Sequence, residues 1–217
     1  MKKAYYKDIW YSIWRGKKRF ISIALIAALG VALFTGLKAA CQDLKISADR
    51  FFDQQGLYDI SVMSTLGLTQ DDVDAISAMD GVEKAEGAYS EDVYVQEGST
   101  STTALLKTLS RTGMNEPYVL EGTIPEEENQ VAVTEKYSRD SGKSVGDTIH
   151  LTSSDNADGG ALKEGDYEIT AVVTDCTDIN SPEGAVSFRS TTSEDYVFFV
   201  VPKAVDSDLY TAVYLTL

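Results

Sequence analysis

Phe20 to Leu37 reads FISIALIAALGVALFTGL, eighteen consecutive residues without a charge. Coiled as an α-helix, this run is about 27 Å long at ~1.5 Å per residue. That is close to the ~30 Å hydrocarbon thickness of a bilayer. Ala39, Ala40 and Cys41 extend the run, while Lys38 reaches outward along its own aliphatic stem. A helix at the surface of a soluble protein keeps one polar face, and this one has none. The pattern predicts a transmembrane helix over residues 20–41.

Charge is distributed unequally about this helix. Residues 1–19 carry seven cations (Lys2, Lys3, Lys7, Arg15, Lys17, Lys18, Arg19) against one acid, Asp8. Residues 38–217 carry twelve cations against thirty-three acids. Basic residues that abut a span stay in the cytoplasm. The expected location is therefore the plasma membrane, with 1–19 as a cytoplasmic leader and 42–217 as an extracytoplasmic domain. A cleaved signal peptide is the rival reading, because Ala39-Ala40 precede Cys41 as they would at a lipoprotein cleavage site. Against it, the apolar run exceeds the usual ~7–15 residues of a signal core, and Lys38 stands where an aliphatic residue belongs.

The leader repeats Tyr6, Ile9, Trp10, Ile13 and Trp14 at helical spacing, with charged residues between them. This predicts an amphipathic helix on the inner membrane face, with Trp10, Trp14, Lys17, Lys18 and Arg19 as interface anchors. A plain cytoplasmic extension of the same helix is the alternative. Within the span, Ala24, Ala28, Ala32 and Gly36 are spaced by four and form one small-residue ridge. Such ridges let helix backbones approach closely in lipid, although alanine and glycine are common in membrane helices in any case.

The outer region predicts a mixed α+β domain. Residues 42–53 continue the helix out of the membrane. Leu57–Ser64 alternates as a strand. Thr69 caps a helix whose apolar face is Val73, Ile76 and Met79, with Gly81 as its left-handed end. Val82–Val95 reads as one strand, Gly98-Ser99 as a turn, and Thr103–Leu109 as a second strand. Pro117–Pro125 reads as a connector and Glu126-Glu127-Glu128 as a solvated turn. Gln130–Thr134 is a strand, Glu135–Ser141 a helix and Gly142 its cap. Val145–Thr152 and Asp166–Asp175 form a hairpin around a polar loop at 153–165. Tyr196–Val201 is a buried strand stopped by Pro202. Leu209–Leu217 is a last strand in which the chain ends, so the domain is expected to be incomplete at its C-terminus.

Composition excludes several classes of function. Two cysteines and one histidine rule out a Cys/His zinc module and a disulfide scaffold. A net charge of −15 argues against nucleic acid as a partner. Ser141-Gly142-Lys143-Ser144 resembles the end of a phosphate loop, but Tyr137 stands where the first glycine is required, so a helix cap is expected there. Asp155–Gly159 resembles a calcium loop but lacks its second ligand and the bidentate glutamate. His150, alone in a strand, reads as structural. Neither cofactor nor metal is expected, and no catalytic constellation emerges. Cys41 and Cys176 both lie outside the cytosol and either pair or stay free.

Three stretches carry a family resemblance. They are LTQDDVDAISAMDGVEKAEG at 68–87, VLEGTIPEEENQVAVTEKYSRDSGKSVGDTIHL at 119–151, and YEITAVVTD at 167–175 followed by VFFVVPKAV at 197–205. With a basic leader and a first membrane helix before them, they resemble the N-terminal part of FtsX-like and MacB-like ABC transporter permeases, in the family's exterior core domain. The resemblance implies a transmembrane permease subunit and no enzyme. Its exterior domain would be moved by a separate cytoplasmic ABC ATPase. Its partners would be the lipid bilayer and further permease helices or a second permease copy. The family has four or more membrane helices, and one is present in these residues. A single-pass anchored protein whose exterior domain binds a ligand or partner is the alternative.

Overall fold

Helix α1 (Lys17–Gln54) is one unbroken element of 38 residues, none of them buried. The expected span and its outward continuation both fall within it. The structure, a computed structural model, describes residues 10–11, 14–97, 100–153, 160–177, 185–186, 193–194 and 196–217. The chain divides into two units, Met1–Phe51 and Phe52–Leu217. The expected Gly98-Ser99 turn and the calcium-loop-like Asp155–Gly159 lie outside the described residues.

The second unit is a mixed α+β domain. In chain order it contains β1 (Ile60–Leu68), α2 (Gln70–Ser77), β2 (Lys84–Ala88), β3 (Ser90–Glu97), β4 (Thr100–Thr108), β5 (Tyr118–Gly122), β6 (Gln130–Thr134) and α3 (Glu135–Ser141). There follow β7 (Thr148–Ser153), β8 (Gly165–Thr174), the two-residue strands β9 (Ala185–Val186) and β10 (Ser193–Glu194), β11 (Val197–Val200) and β12 (Tyr210–Thr216). Strand β12 is the middle of a three-stranded sheet, with β1 and β2 antiparallel on either side. The large sheet runs β5-β8-β6-β11-β4-β3-β7, and β7 pairs again with β8. That last pairing closes six strands into a ring, which leaves those strands no open edge for aggregation. Strand β8 makes the closure possible. It is ten residues long and holds β6 in parallel on one side, and β7 and β5 in succession on the other.

Alternation along the ring strands supplies the core. Val93 and Val95, Ala104 and Leu106, Val131 and Val133, Ile149 and Leu151, Tyr167 and Ile169, and Phe198 and Val200 form one buried cluster. Their neighbours of opposite parity, Leu105, Ala132, Val197 and Phe199, form a second cluster on the other face, joined by Ala171 and Val173, which the register shift after Ile169 in β8 turns to that side. Strands buried on both faces read as continuous apolar runs, which is why VFFV is fully buried.

Local signals set the helix ends. Thr69 and Asp72 make a reciprocal capping box, with the Thr69 N–H donating to Asp72 Oδ2 at 2.7 Å. Gly142 adopts φ 73 and closes α3 through its N–H to the Ser138 carbonyl, a conformation open to glycine at no steric cost.

Several expectations need correction. Val82–Val95 is two strands in two sheets. The chain changes sheet at Tyr89, where Ser90 gives its N–H to Thr211 Oγ1 (3.0 Å) on β12. The connector 117–125 contains β5, whose Val119 packs against the second apolar cluster. The first strand begins at Ile60 and not at Leu57, because the N–H groups of Leu57 and Tyr58 are held by the Phe52 carbonyl and by Asn115. Met79 lies beyond the end of α2 and is 61% exposed, and Gly81 turns the chain three residues past the cap residue Ala78.

The loop at 153–165 is not solvated throughout. Leu162 is buried and bridges to Val205. Glu91, on the inward-facing parity of Val93 and Val95, is also buried. It accepts from the N–H groups of Leu162 (2.7 Å) and Ala161 (3.1 Å) and from the hydroxyls of Ser153 (3.0 Å) and Tyr89 (3.3 Å). Each buried donor left unpaired costs about 1–3 kcal/mol. Glu91→Ala should therefore lower unfolding stability by about 3 kcal/mol or more, and Glu91→Gln, which keeps one acceptor oxygen, by less. Thermal unfolding of the detergent-solubilised chain followed by circular dichroism measures both; equal, negligible shifts would contradict this role for Glu91.

Candidate functional site

Two regions carry features with functional potential, and each belongs to one unit. The first lies around the start of α1. Trp10, Tyr11 and Trp14 are exposed. Residues 14 and 15 are helical, Gly16 is a turn, and α1 starts at Lys17. Its first turn contains Lys17, Lys18 and Arg19 and no acid. The Lys17 ammonium lies 5.8 Å from the centre of the Trp14 ring, within cation–π range.

Above this basic turn, from Phe20 to Leu37, every large apolar side chain is exposed. Ten of them, from Phe20 to Leu37, are at least half accessible. Fully burying such a side chain is worth about 1.5–3 kcal/mol, so leaving ten in water forfeits on the order of 20 kcal/mol. That exceeds the ~5–15 kcal/mol net stability of a folded domain. The helix therefore requires an apolar environment. Ala24, Ala28, Ala32 and Gly36 are all exposed too, and a Cβ added at Gly36 would meet nothing within 4 Å. Of the span's two hydroxyl residues, Ser22 and Thr35, Thr35 donates its Oγ1 proton back to the Val31 carbonyl at 2.8 Å, which satisfies it without water.

The second region is where the chain leaves α1 and enters the domain. Gly56 has φ +60, and a Cβ there would collide with the Gly113 carbonyl. Asn115, at φ 54, is the only non-glycine residue with positive φ among the described residues. Its N–H donates to the Gly56 carbonyl (3.0 Å), its Oδ1 accepts from the Tyr58 N–H (3.1 Å), and the Glu116 N–H reaches the Gln55 carbonyl (3.0 Å). Tyr58 stacks on Tyr214, with ring centres 4.6 Å apart. The loop that grips this junction is itself fixed by Glu86, which accepts from the Ser110 hydroxyl (2.6 Å) and from the N–H groups of Arg111 (2.6 Å) and Thr112 (3.3 Å).

Beside the junction lies a buried ion pair. Lys107 Nζ donates to Asp175 Oδ2 at 2.6 Å and to Thr177 Oγ1 at 2.9 Å. Burial pushes the Asp175 carboxyl up, but the Lys107 charge and the bonds from Lys107 and Thr177 outweigh it and hold the group below the usual carboxylate range. Burial, then the Asp175 charge, push the neighbouring Cys176 thiol up to about 12, which keeps it protonated and unreactive at neutral pH. Both cysteines are free. The cleft over this pair measures about 40 Å³ and a second, lined by Arg111 and Leu209, about 190 Å³. Both fall short of the ~300–1,000 Å³ usual for small-molecule sites.

Other expected features take bland roles. Ser141–Ser144 is the end of α3: Ser138 Oγ donates to the Lys143 carbonyl (2.7 Å) and Lys143 Nζ to that of Thr148 (3.3 Å). His150 Nδ1 lies 2.7 Å from Asp166 Oδ1, across the β7–β8 pairing. Among the described residues no group of three His, Cys, Asp or Glu side chains is placed to hold a metal. Sequence reasoning missed Glu91, Asn115 and the Lys107–Asp175 pair. Only Glu91 left a signal, as an acid on the apolar parity of an alternating strand.

Comparison of the sequence with protein-family profiles and with curated proteins finds no match. Among solved structures, the chain is similar to the extracellular domain of the noncanonic ABC-type transporter YknZ from Gram-positive bacteria, at 11% identity and a TM-score of 0.46, covering 70% of this chain and 74% of that one. It is also similar to the periplasmic region of MacB from Actinobacillus actinomycetemcomitans, at 12% identity and a TM-score of 0.43, covering 72% of this chain and 66% of that one.

Breaking a buried ion pair costs about 3–5 kcal/mol; Lys107 is one-fifth exposed, so Asp175→Asn should cost about 3 kcal/mol at neutral pH. Because the folded pKa of Asp175 is depressed, its contribution is full above the unfolded value of ~3.9 and is lost as pH falls through the folded value. The stability gap between wild type and Asp175→Asn should hold from neutral pH down to about 4 and narrow below it. A gap that stays constant to strong acid would contradict the assignment.

Proposed function

We propose that this chain is the first membrane helix and exterior domain of an ABC transporter permease, with α1 crossing the plasma membrane and the leader on the cytoplasmic side. A separate cytoplasmic ATPase, meeting further permease helices or a second permease copy, would move the exterior domain. The observation that carries this reading is a span exposed on every side that also bears a small-residue ridge. A lone anchor needs apolar length alone, whereas Ala24, Ala28, Ala32 and Gly36 offer a close-approach face to another helix. The charge asymmetry across residues 20–37 supports the orientation. Within the exterior domain, Gln55–Tyr58 is fastened to the loop at 110–116 through Gly56 and Asn115.

This chain supplies no nucleotide site in that scheme. Its one phosphate-loop-like segment is occupied as a helix end, and the acidic exterior region repels nucleotide. Affinity purification of the tagged protein from its native membrane should yield vanadate-sensitive ATP hydrolysis, while the isolated chain binds no labelled ATP. Ala28→Leu should reduce recovery of that activity, with losses on the scale of ~0.5–2 kcal/mol for a membrane helix contact, and Leu29→Ala should matter less. Saturable ATP binding by the chain that is lost in Lys143→Ala would overturn the reading. So would a complex without ATP hydrolysis that is indifferent to both ridge variants, which is the behaviour of a simple anchored binding protein.

A further inference from the structure

Arg15, Lys17, Lys18 and Arg19 follow one another within five residues, and all are exposed. None forms an ion pair among the described residues, although the chain has 34 acids. Three of the four occupy the first turn of α1, which has no acid. Cations there repel one another and the positive end of the helix dipole, and among the described residues no acid offsets that repulsion. The cluster adjoins Phe20, the first residue of the uncharged run, without a spacer. Trp10, Tyr11 and Trp14 lie exposed beside it, and such rings settle at the level of lipid headgroups. The anion that this arrangement meets is therefore the one found at headgroup depth.

We propose that Arg15, Lys17, Lys18 and Arg19, flanked by Trp10 and Trp14, form a binding site for anionic phospholipid headgroups at the base of α1. The inference rests on the membrane reading of residues 20–37. The two guanidinium groups grip phosphate oxygens in bidentate fashion, and the two ammonium groups add mobile positive charge. Such a site keeps an acidic lipid beside the helix at the level where a cytoplasmic partner would dock.

The test uses the chain's own fluorescence, because its two tryptophans are Trp10 and Trp14. The full chain is reconstituted into phosphatidylcholine bilayers that contain, at equal mole fraction, brominated phosphatidylglycerol or brominated phosphatidylcholine as the quencher. Membrane-surface electrostatics sets a scale of about fivefold per engaged cation. Phosphatidylglycerol should therefore quench with an apparent association at least about fivefold stronger. The preference should fall to near unity in the Lys17→Gln, Lys18→Gln, Arg19→Gln triple variant, which still reports insertion through equal quenching by both lipids. Equal quenching in the wild type overturns the proposal and leaves the membrane reading standing. A preference that survives in the triple variant overturns its assignment to these residues. Loss of the preference in millimolar inorganic phosphate at constant ionic strength assigns the site to free anions instead and overturns the lipid proposal. Quenching by neither lipid overturns the membrane reading itself.

Discussion

Between Phe20 and Leu37, ten large apolar side chains stand exposed around a helix that has no polar face. Water cannot be their solvent, because the free energy forfeited there is larger than a domain's whole stability. The other features of the first unit follow from that constraint. Thr35 turns its hydroxyl back onto its own helix. Basic residues gather at one end of the apolar run, and exposed aromatic rings lie beside them. The small residues Ala24, Ala28, Ala32 and Gly36 form an exposed, shallow face of the helix.

The second unit solves a different problem. A six-strand ring needs one strand to meet both ends of the sheet, and the length of β8 allows this. The ring then buries both parities of several strands, and the buried carboxylates Glu91 and Asp175 are each matched by donors. Glu91 accepts from four donors, and Lys107 donates to Asp175 and Thr177. These matched groups hold the loop at 160–162 and the root of the segment after β8.

What was legible in the sequence was local. The Thr69–Asp72 capping box, the strand and helix at 130–141 with Gly142 as their stop, each strand of the 148–174 hairpin and the buried VFFV strand were each readable within about ten residues. The unbroken apolar run was readable in the same way. What escaped depends on partners far along the chain. Tyr89 divides an apparently continuous strand because Thr211, 121 residues away from Ser90, claims the backbone there. Strand β5 hides between two prolines and is defined by its pairing with β8. Asn115 resembles any loop asparagine until Gly56 and Tyr58 arrive beside it. Of the candidate site, the basic residues and the four-residue spacing of Ala24, Ala28, Ala32 and Gly36 are visible in composition and spacing, while their roles as anchors and as a packing ridge are proposals. The ion pair is not visible there, since nothing near Lys107 in sequence announces Asp175.

The central claim is that residues 20–37 cross the membrane, with the leader inside and the acidic domain outside. Single cysteines at Ser101 and at Tyr11, both exposed, test it most directly in a Cys41→Ala background, where the remaining Cys176 is buried. With a membrane-impermeant thiol reagent on intact cells, Ser101→Cys should label at once and Tyr11→Cys only after permeabilisation. Labelling of Tyr11→Cys in intact cells, with Ser101→Cys protected, would contradict the account.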